Sequence, residues 1–445
     1  MFEPRIGIIA DPFGDGKTSV RASYGMFYDA PQMFFNTRYS NSPPYGDAIA
    51  ENNVSFANPW AAYPGGDPFP GLNTLSSTAP FAQEGVYVFS PLHIQPFYLE
   101  QWNLSIQHQL GSWLIGATYL GNRSVHLPTS YEADPALYIP GTSTGVAGSC
   151  GTLSGANLPA SGKACSSTGN YNPRRVLYQA NPAQGALIST IGQYDDEGIA
   201  DYNGALIQVQ RRAKAMNLVV NYTFSHCLSE SETTELTGPS YLIPPAYDPN
   251  GRRASYSNCD SDRRQVLNSS LVLFAPKVIG NRLTSLALGG WELANIFTAT
   301  TGSDFTASTG ADITLAGTGN TIAYNAAHPY GARTNFGTQG YLTASGGSCA
   351  AAIWTCPAAG TFSYQRPLSL YGPASYEWDM ALSRNFVLFH SDSQKLQFRW
   401  DVFNVPNEVI LTTPTATITS ATFGSFSSTS VGLPRIMQVA LKYTF

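Results

Sequence analysis

The sequence is poor in charge. Asp, Glu, Lys and Arg make up 12% of its 445 residues, where a soluble domain carries about 25%. That shortage excludes the Glu- and Lys-covered helices of an ordinary soluble protein. Oiliness does not fill the gap, since 43% of residues are hydrophobic and the mean hydropathy is −0.12. No uncharged apolar run reaches the roughly 18 to 20 residues of a membrane-spanning helix. There is no basic block either, and a net charge of −5 disfavours a nucleic-acid binder, which needs clustered Lys and Arg. The opening residues 1–7 lack the basic region and apolar core of a signal peptide. Either the protein stays in the cytoplasm or its natural start lies upstream.

What the chain does contain is turn formers and β-favouring aromatics: Gly 41, Pro 30, Tyr 25 and Phe 23. The length suits two or three soluble domains or one large repetitive β architecture. Its six cysteines fall as Cys150 and Cys165, Cys227 and Cys259, Cys349 and Cys356, in segments rich in Gly, Ser, Thr, Ala and Pro. None has the Cys-x-x-Cys spacing of a zinc site. Local loop disulfides are the simplest reading and imply an oxidising compartment, although spacing alone leaves connectivity open and unpaired thiols remain the alternative.

Hydrophobic periodicity is clearest at the C-terminus, where Met437, Val439, Leu441, Tyr443 and Phe445 alternate with Gln438, Ala440, Lys442 and Thr444. This is the period-two pattern of a strand. It recurs at Leu396, Phe398, Trp400 and Val402; at Leu218, Val220, Tyr222 and Phe224; at Trp102, Leu104, Ile106, His108 and Leu110; and at Val20, Ala22, Tyr24, Met26 and Tyr28. In a soluble sandwich the face opposite such a stripe is solvated and commonly charged. Here it is mostly Gln, Asn, Ser, Thr and Gly, which suits a lumen, while the aromatic stripe suits lipid. Leu396, Phe398, Trp400 and Val402 are therefore assigned to lipid. Arg399 and Asp401, two residues apart on the other face, are assigned to a lumenal pair.

About eleven strands are predicted, over 4–10, 18–28, 97–109, 113–122, 203–212, 217–227, 264–275, 286–298, 375–388, 394–404 and 434–445. The connections alternate strictly between short and long. The short ones are 11–17, 110–112, 213–216, 276–285 and 389–393; the long ones are 29–96, 123–202, 228–263, 299–374 and 405–433. Structureless loops of that length are uncommon in compact soluble domains. Sorting by strand parity predicts a transmembrane antiparallel β-barrel with short periplasmic turns and long extracellular loops, in the outer membrane of a Gram-negative-type bacterium. An odd strand count conflicts with closure, because both the first and the last strand run towards the periplasm. At least one further strand and a signal peptide are expected upstream, so residues 1–445 read as one partial barrel domain.

Several stretches together carry a resemblance. They include Phe2-Glu-Pro-Arg-Ile-Gly with Tyr24-Gly-Met-Phe-Tyr-Asp, Glu100-Gln-Trp-Asn-Leu-Ser, Tyr119-Leu-Gly-Asn and Tyr202-Asn-Gly-Ala-Leu with Gln210-Arg-Arg. Further along come Asn221-Tyr-Thr-Phe-Ser, Asp262-Arg-Arg, Gly289-Gly-Trp-Glu-Leu, Phe398-Arg-Trp-Asp-Val-Phe-Asn and the closing Ala440-Leu-Lys-Tyr-Thr-Phe. In this order and spacing the chain resembles the C-terminal half of the barrel of TonB-dependent outer-membrane receptors, specifically the Oar-like group. The resemblance implies a barrel of twenty-two strands, of which eleven lie here. It also implies a plug domain and a TonB-contacting segment outside this chain. By the same resemblance Phe445, with the alternating residues Met437, Val439, Leu441 and Tyr443, is the signal read by the barrel-assembly machinery.

Chemical motifs are near misses. Asp11-Pro-Phe-Gly-Asp-Gly-Lys17-Thr18 approaches the phosphate-binding pattern, but it has Asp11 where that pattern needs its first Gly and it leads into a strand instead of a helix. The histidines His93, His108, His126, His226, His328 and His390 show no zinc spacing. Asp195, Asp196 and Glu197 could contribute to a calcium site, a solvated loop being the plainer reading. Asp260, Asp262, Arg263 and Arg264 read as rim salt bridges more readily than as ligand contacts. No nucleophile motif is present. The expected protein is a non-enzymatic, cofactor-free receptor barrel whose partners are outer-membrane lipid, the assembly machinery, the TonB complex through a region outside this chain, and an unidentified extracellular ligand. A passive porin or adhesin barrel, and a secreted soluble β-rich binding protein or hydrolase, are the alternatives.

Overall fold

The computed structural model describes residues 2–29, 55–61, 66–67, 85–230, 252–276, 289–319, 321–331, 340–344, 347, 353–388, 394–426 and 432–445. Among them fifteen strands occur: β1 (Arg5–Ala10), β2 (Thr18–Tyr28), β3 (Gly85–Phe89), β4 (Tyr98–Leu110), β5 (Trp113–Glu132), β6 (Ile188–Ala213), β7 (Met216–Ser229), β8 (Ser257–Asn258), β9 (Gln265–Phe274), β10 (Trp291–Thr300), β11 (Asp304–Phe305), β12 (Leu370–Tyr371), β13 (Ser375–Val387), β14 (Lys395–Phe403) and β15 (Ile436–Thr444). Eleven of these form one continuous antiparallel path, β1-β2-β4-β5-β6-β7-β9-β10-β13-β14-β15, which β3 and β8 join at the side. Every neighbour on the path is the next long strand in the chain, the meander order of a barrel wall. No described helix is long and apolar enough to cross a membrane.

Register decides which residues share a face, because directly paired residues of neighbouring strands point to the same side. Val20 pairs with Ile106, Ile106 with Ala117, Ala117 with Ile207, Ile207 with Tyr222 and Tyr222 with Leu267. The line continues through Leu267 to Ala299 and from Ala299 to Tyr376. Two strands on, Phe398 pairs with Leu441 and Trp400 with Val439. The five apolar stripes thus lie on one face of one sheet. The other face carries Gln107 opposite Ser19, Gln208 opposite Asn221 and Asp401 opposite Gln438.

The long connections gather at one end of the sheet and the short ones at the other. The turn between β1 and β2 shows how a short one is built. Asp11 accepts from the amides of Phe13 (3.3 Å), Gly14 (3.0 Å) and Gly16 (2.7 Å), and Gly14 and Gly16 both take positive φ. The amides that a phosphate would need are already held by this carboxylate, so the near miss to a phosphate loop is a side-chain-capped hairpin.

Two strands exceed their sequence expectation. β5 is 20 residues long and β6 is 26, whereas about 9 to 11 residues cross a bilayer. The extra length forms an extension beyond the wall, bent where its register shifts around His126 and Pro128, and β3 adds to it as a parallel third strand along Ile188–Gln193 of β6. Asp195, Asp196 and Glu197 consequently lie in β6 and not in a loop.

The molecule's core sits among the long loops. The largest buried cluster joins Phe305, Ala307, Ala323, Leu342, Trp354 and Leu370 of the β10–β13 connection to Ile418 of the β14–β15 connection. Trp354 donates its indole N–H to the Thr343 carbonyl at 2.8 Å and meets Phe423 edge-on at 5.2 Å. A second cluster is built on Cys150, Leu153 and Cys165. Segments expected to be structureless are folded into a packed canopy over one end of the sheet.

Candidate extracellular ligand site

The connection between β5 and β6 is organised by two buried arginines. Arg174 is wholly buried, and carbonyls take up its guanidinium: Nε donates to Asn170 O at 3.0 Å, Nη1 to Leu137 O at 2.5 Å and Nη2 to Ser167 O at 3.0 Å. Arg175 donates through Nη1 to Asp134 O and lies 3.4 Å from the Glu132 carboxylate. Glu132 accepts from the amides of Asp134 (3.0 Å) and Ile191 (2.9 Å), locking the loop's start to β6. Burial pushes the Glu132 carboxyl up, and the charge of Arg175 opposes that rise. Burial also raises Asp134, against the hydrogen bond it accepts from the Leu177 amide. A buried cation satisfied in this way rigidifies what surrounds it.

A disulfide joins Cys150 to Cys165 across 15 residues with a Cα separation of 5.3 Å. Asn170 donates to the Cys165 carbonyl at 2.9 Å, so the bridge and the Arg174 network share one backbone segment. The connection between β10 and β13 closes over it. Tyr171 donates its hydroxyl to Asp312 at 2.9 Å, and the amides of Gly317 and Ala136 bond to Asp312 and the Ala316 carbonyl, each at 2.9 Å. Burial, then the Asp312 charge, pushes the Tyr171 hydroxyl up.

Between these parts lies a cavity of about 1030 Å³, walled by Asn157, Lys163, Ser167, Thr168, Asn170, Tyr171, Asn172, Arg175, Ser189 and Thr190 among others. Its walls are mixed: amides, hydroxyls, the Tyr171 ring and the cations of Lys163 and Arg175 alternate with an apolar share from Ala156, Leu158, Pro159, Ala160, Ala164 and Pro173. A pre-formed concavity with convergent polar groups makes this the candidate binding site. Sequence periodicity could not find it, because irregular loops have no period. A signal was nevertheless present: in 133–187 the only charged residues are Asp134, Lys163, Arg174 and Arg175. Three of these four organise the site.

The residues singled out by sequence fall as follows. Leu396, Phe398, Trp400 and Val402 of β14 pair with Tyr443, Leu441, Val439 and Met437 of β15. Val402 differs from its stripe in being 4% exposed. Arg399 donates to Asp401 at 2.9 Å. Phe445 is exposed and stacks on Tyr443 at 5.7 Å. Cys227 is joined to Cys259 across 32 residues. Cys356 is also disulfide-bonded, while Cys349 lies outside the described residues. Arg264 pairs with Asp262 at 3.1 Å. Among the described residues no group of three or more His, Cys, Asp or Glu could hold a metal ion.

A family model described as outer membrane beta barrel domain matches residues 1–438. The chain belongs to that family. This outer-membrane β-barrel therefore resides in the outer membrane. No curated protein matches it. Among solved structures it is similar to the outer membrane transporter YddB from Escherichia coli, with 10% identity and a TM-score of 0.46, covering 99% of this chain and 40% of that one. It is similar also to FpvA of Pseudomonas aeruginosa bound to heterologous pyoverdines (9% identity, TM-score 0.40, covering 100% and 33%). A third is the FrpB iron transporter from Neisseria meningitidis (9% identity, TM-score 0.40, covering 100% and 39%). This β-barrel chain thus spans about two fifths of those proteins' length or less.

Proposed function

We propose that this chain is the C-terminal part of the barrel of a TonB-dependent outer-membrane receptor of the Oar-like group, which captures an extracellular ligand in its loop canopy and admits it through the barrel. The observation that carries this reading is the pre-formed cavity of about 1030 Å³ on the side of the long loops. A passive pore has little use for a canopy stapled by disulfides and buried arginines. On this reading the apolar face of the sheet meets lipid, the amide face lines the lumen, and Arg399 and Asp401 pair inside it. The first and last strands of an eleven-strand antiparallel path run in the same direction, so closure takes an odd number of further strands, eleven in a barrel of twenty-two. The site has the chemistry of a receptor and no catalytic arrangement is assigned to it.

The mixed amide, hydroxyl and apolar walls suit a sizeable amphipathic or polar ligand, a glycan, peptide or chelate. The full-length protein in nanodiscs is to be titrated calorimetrically with three probes: a neutral tetrasaccharide, a tetrapeptide and a ferric hydroxamate. One class should bind, and Thr190→Trp, which fills the cavity, should weaken it at least about tenfold, equivalent to about 1.4 kcal/mol. Uptake of that probe by cells should cease in a strain lacking TonB. Uptake that persists there identifies a passive channel instead.

A further inference from the structure

Where the connection between β7 and β9 meets that between β10 and β13, two carboxylates are buried near enough that the charge of one acts on the other. Asp262 and Asp304 are each 4% exposed. Asp262 is anchored: its Oδ1 accepts from the Cys227 amide at 2.8 Å and its other oxygen lies 3.1 Å from Arg264 Nε. Asp304 is not. Among the described residues neither of its carboxylate oxygens accepts a hydrogen bond. It sits in β11 directly opposite Tyr371 of β12, a two-stranded sheet at the foot of the long loop.

Among the described residues Ser257 Oγ, Asp262 Oδ2 and Arg264 Nε also make no hydrogen bond, but other groups here link the two loops. His226 Nε2 lies 2.6 Å from Arg264 Nη2 and 3.0 Å from Asn258 Oδ1. Asn258 reaches across to the other loop, donating to Leu368 O at 2.9 Å. The Cys227–Cys259 disulfide fixes this side to β7. One side of the junction is tied to β7 by the disulfide, and the other presents a buried carboxyl that, among the described residues, no hydrogen bond of ordinary geometry holds.

We propose that this junction is a proton-operated latch between two extracellular loops: with a proton on Asp304 the loops stay docked, and loss of the proton parts them. A neutral carboxyl can lie beside Asp262, whereas two buried anions repel, with the Asn258 amide as the nearest donor to offset the second charge. The groups facing Asp304 are Asp262, which favours the proton, and Arg263, Arg264 and the amide of Asn258, which oppose it. Burial outweighs them, and Asp304 is pushed up to about 7. His226 acts at one remove, through Arg264. The sign follows from linkage. The docked state holds a proton that the parted state releases near the ordinary carboxylate value. Docking is therefore strongest in acid, weakens as pH rises through that window to about 7, and then levels off.

The test is amide hydrogen exchange of the intact protein in lipid nanodiscs, over 301–310 and 368–374, from about pH 5 to about pH 8.5, corrected for intrinsic rates. Protection should fall by up to about tenfold per pH unit and then flatten. Asp304→Asn should hold protection high throughout. Asp262→Asn should bring the plateau to lower pH, and it carries the test if Asp304→Asn fails to fold. Protection that ignores pH, or a pH response that survives Asp304→Asn, overturns the latch. So does restoration of protection at the alkaline end by calcium ions, which would make the pair a cation site.

Discussion

Phe398 and Arg399 are neighbours in sequence and opposites in consequence. Phe398 lies on the apolar face, directly opposite Arg384 and edge-on to Trp291 at 5.9 Å; Arg399 already has Asp401. Phe398→Arg would put a second cation beside Arg384 on the proposed lipid face, where arginine costs up to about 2 to 4 kcal/mol depending on depth. It should sharply reduce folded yield in bilayers, while Arg399→Gln should leave yield near wild type; equal yields would refute the face assignment. A finer test is Gly121, over which the Trp102 indole lies so closely that a Cβ would overlap it. Gly121→Ala should destabilise the barrel by about 1 to 3 kcal/mol in urea unfolding from vesicles. The alternation of Phe398 and Arg399 was legible in the sequence, since period two is a local property. The packing of Trp102 on Gly121 was not, because it depends on the register of two strands.

At the level of elements, the wall was readable and the canopy was not. Nearly every boundary of β1, β2, β4, β7, β9, β13, β14 and β15 falls within two residues of its sequence expectation, because hydrophobic alternation and turn residues both mark strands. The upper halves of β5 and β6 escaped, since strand beyond the membrane has no reason to alternate apolar with polar. The loop core escaped because its contacts, such as Trp354 with Phe423, join distant segments. The disulfide between Cys150 and Cys165 closes a ring in this canopy, and such a ring stabilises by about 3 kcal/mol in the chain-entropy account. The double substitution of both cysteines by alanine should expose 133–187 to protease with the barrel still inserted. Gly302 and Gly372 cross so closely where β10 gives way to the loop that a side chain at 302 would strike the Gly372 carbonyl. Gly302→Val should loosen β11 and β12 without affecting β1 to β7, which exchange measurements on both regions would separate.

For the molecule as a whole, the apolar face and the final aromatic residue point to the same event, delivery into the outer membrane. Deleting Phe445, exposed at the end of the outermost strand, should lower surface levels without altering the β5–β6 extension in whatever protein does insert; unchanged levels would remove its proposed role as an assembly signal. Low charge takes on a structural meaning here: one face of the wall is apolar, the other carries mostly amides and hydroxyls, and both arginines of the β5–β6 connection are buried. The disulfides add a constraint on timing. Thiols of such proteins are oxidised in the periplasm, before the loops reach the cell exterior. Cys150–Cys165 and Cys227–Cys259 close rings spanning 15 and 32 residues. Each loop thus crosses the membrane as a closed ring and not as a thread, so the width of the passage during assembly, as much as any ligand, limits how far apart its cysteines can lie.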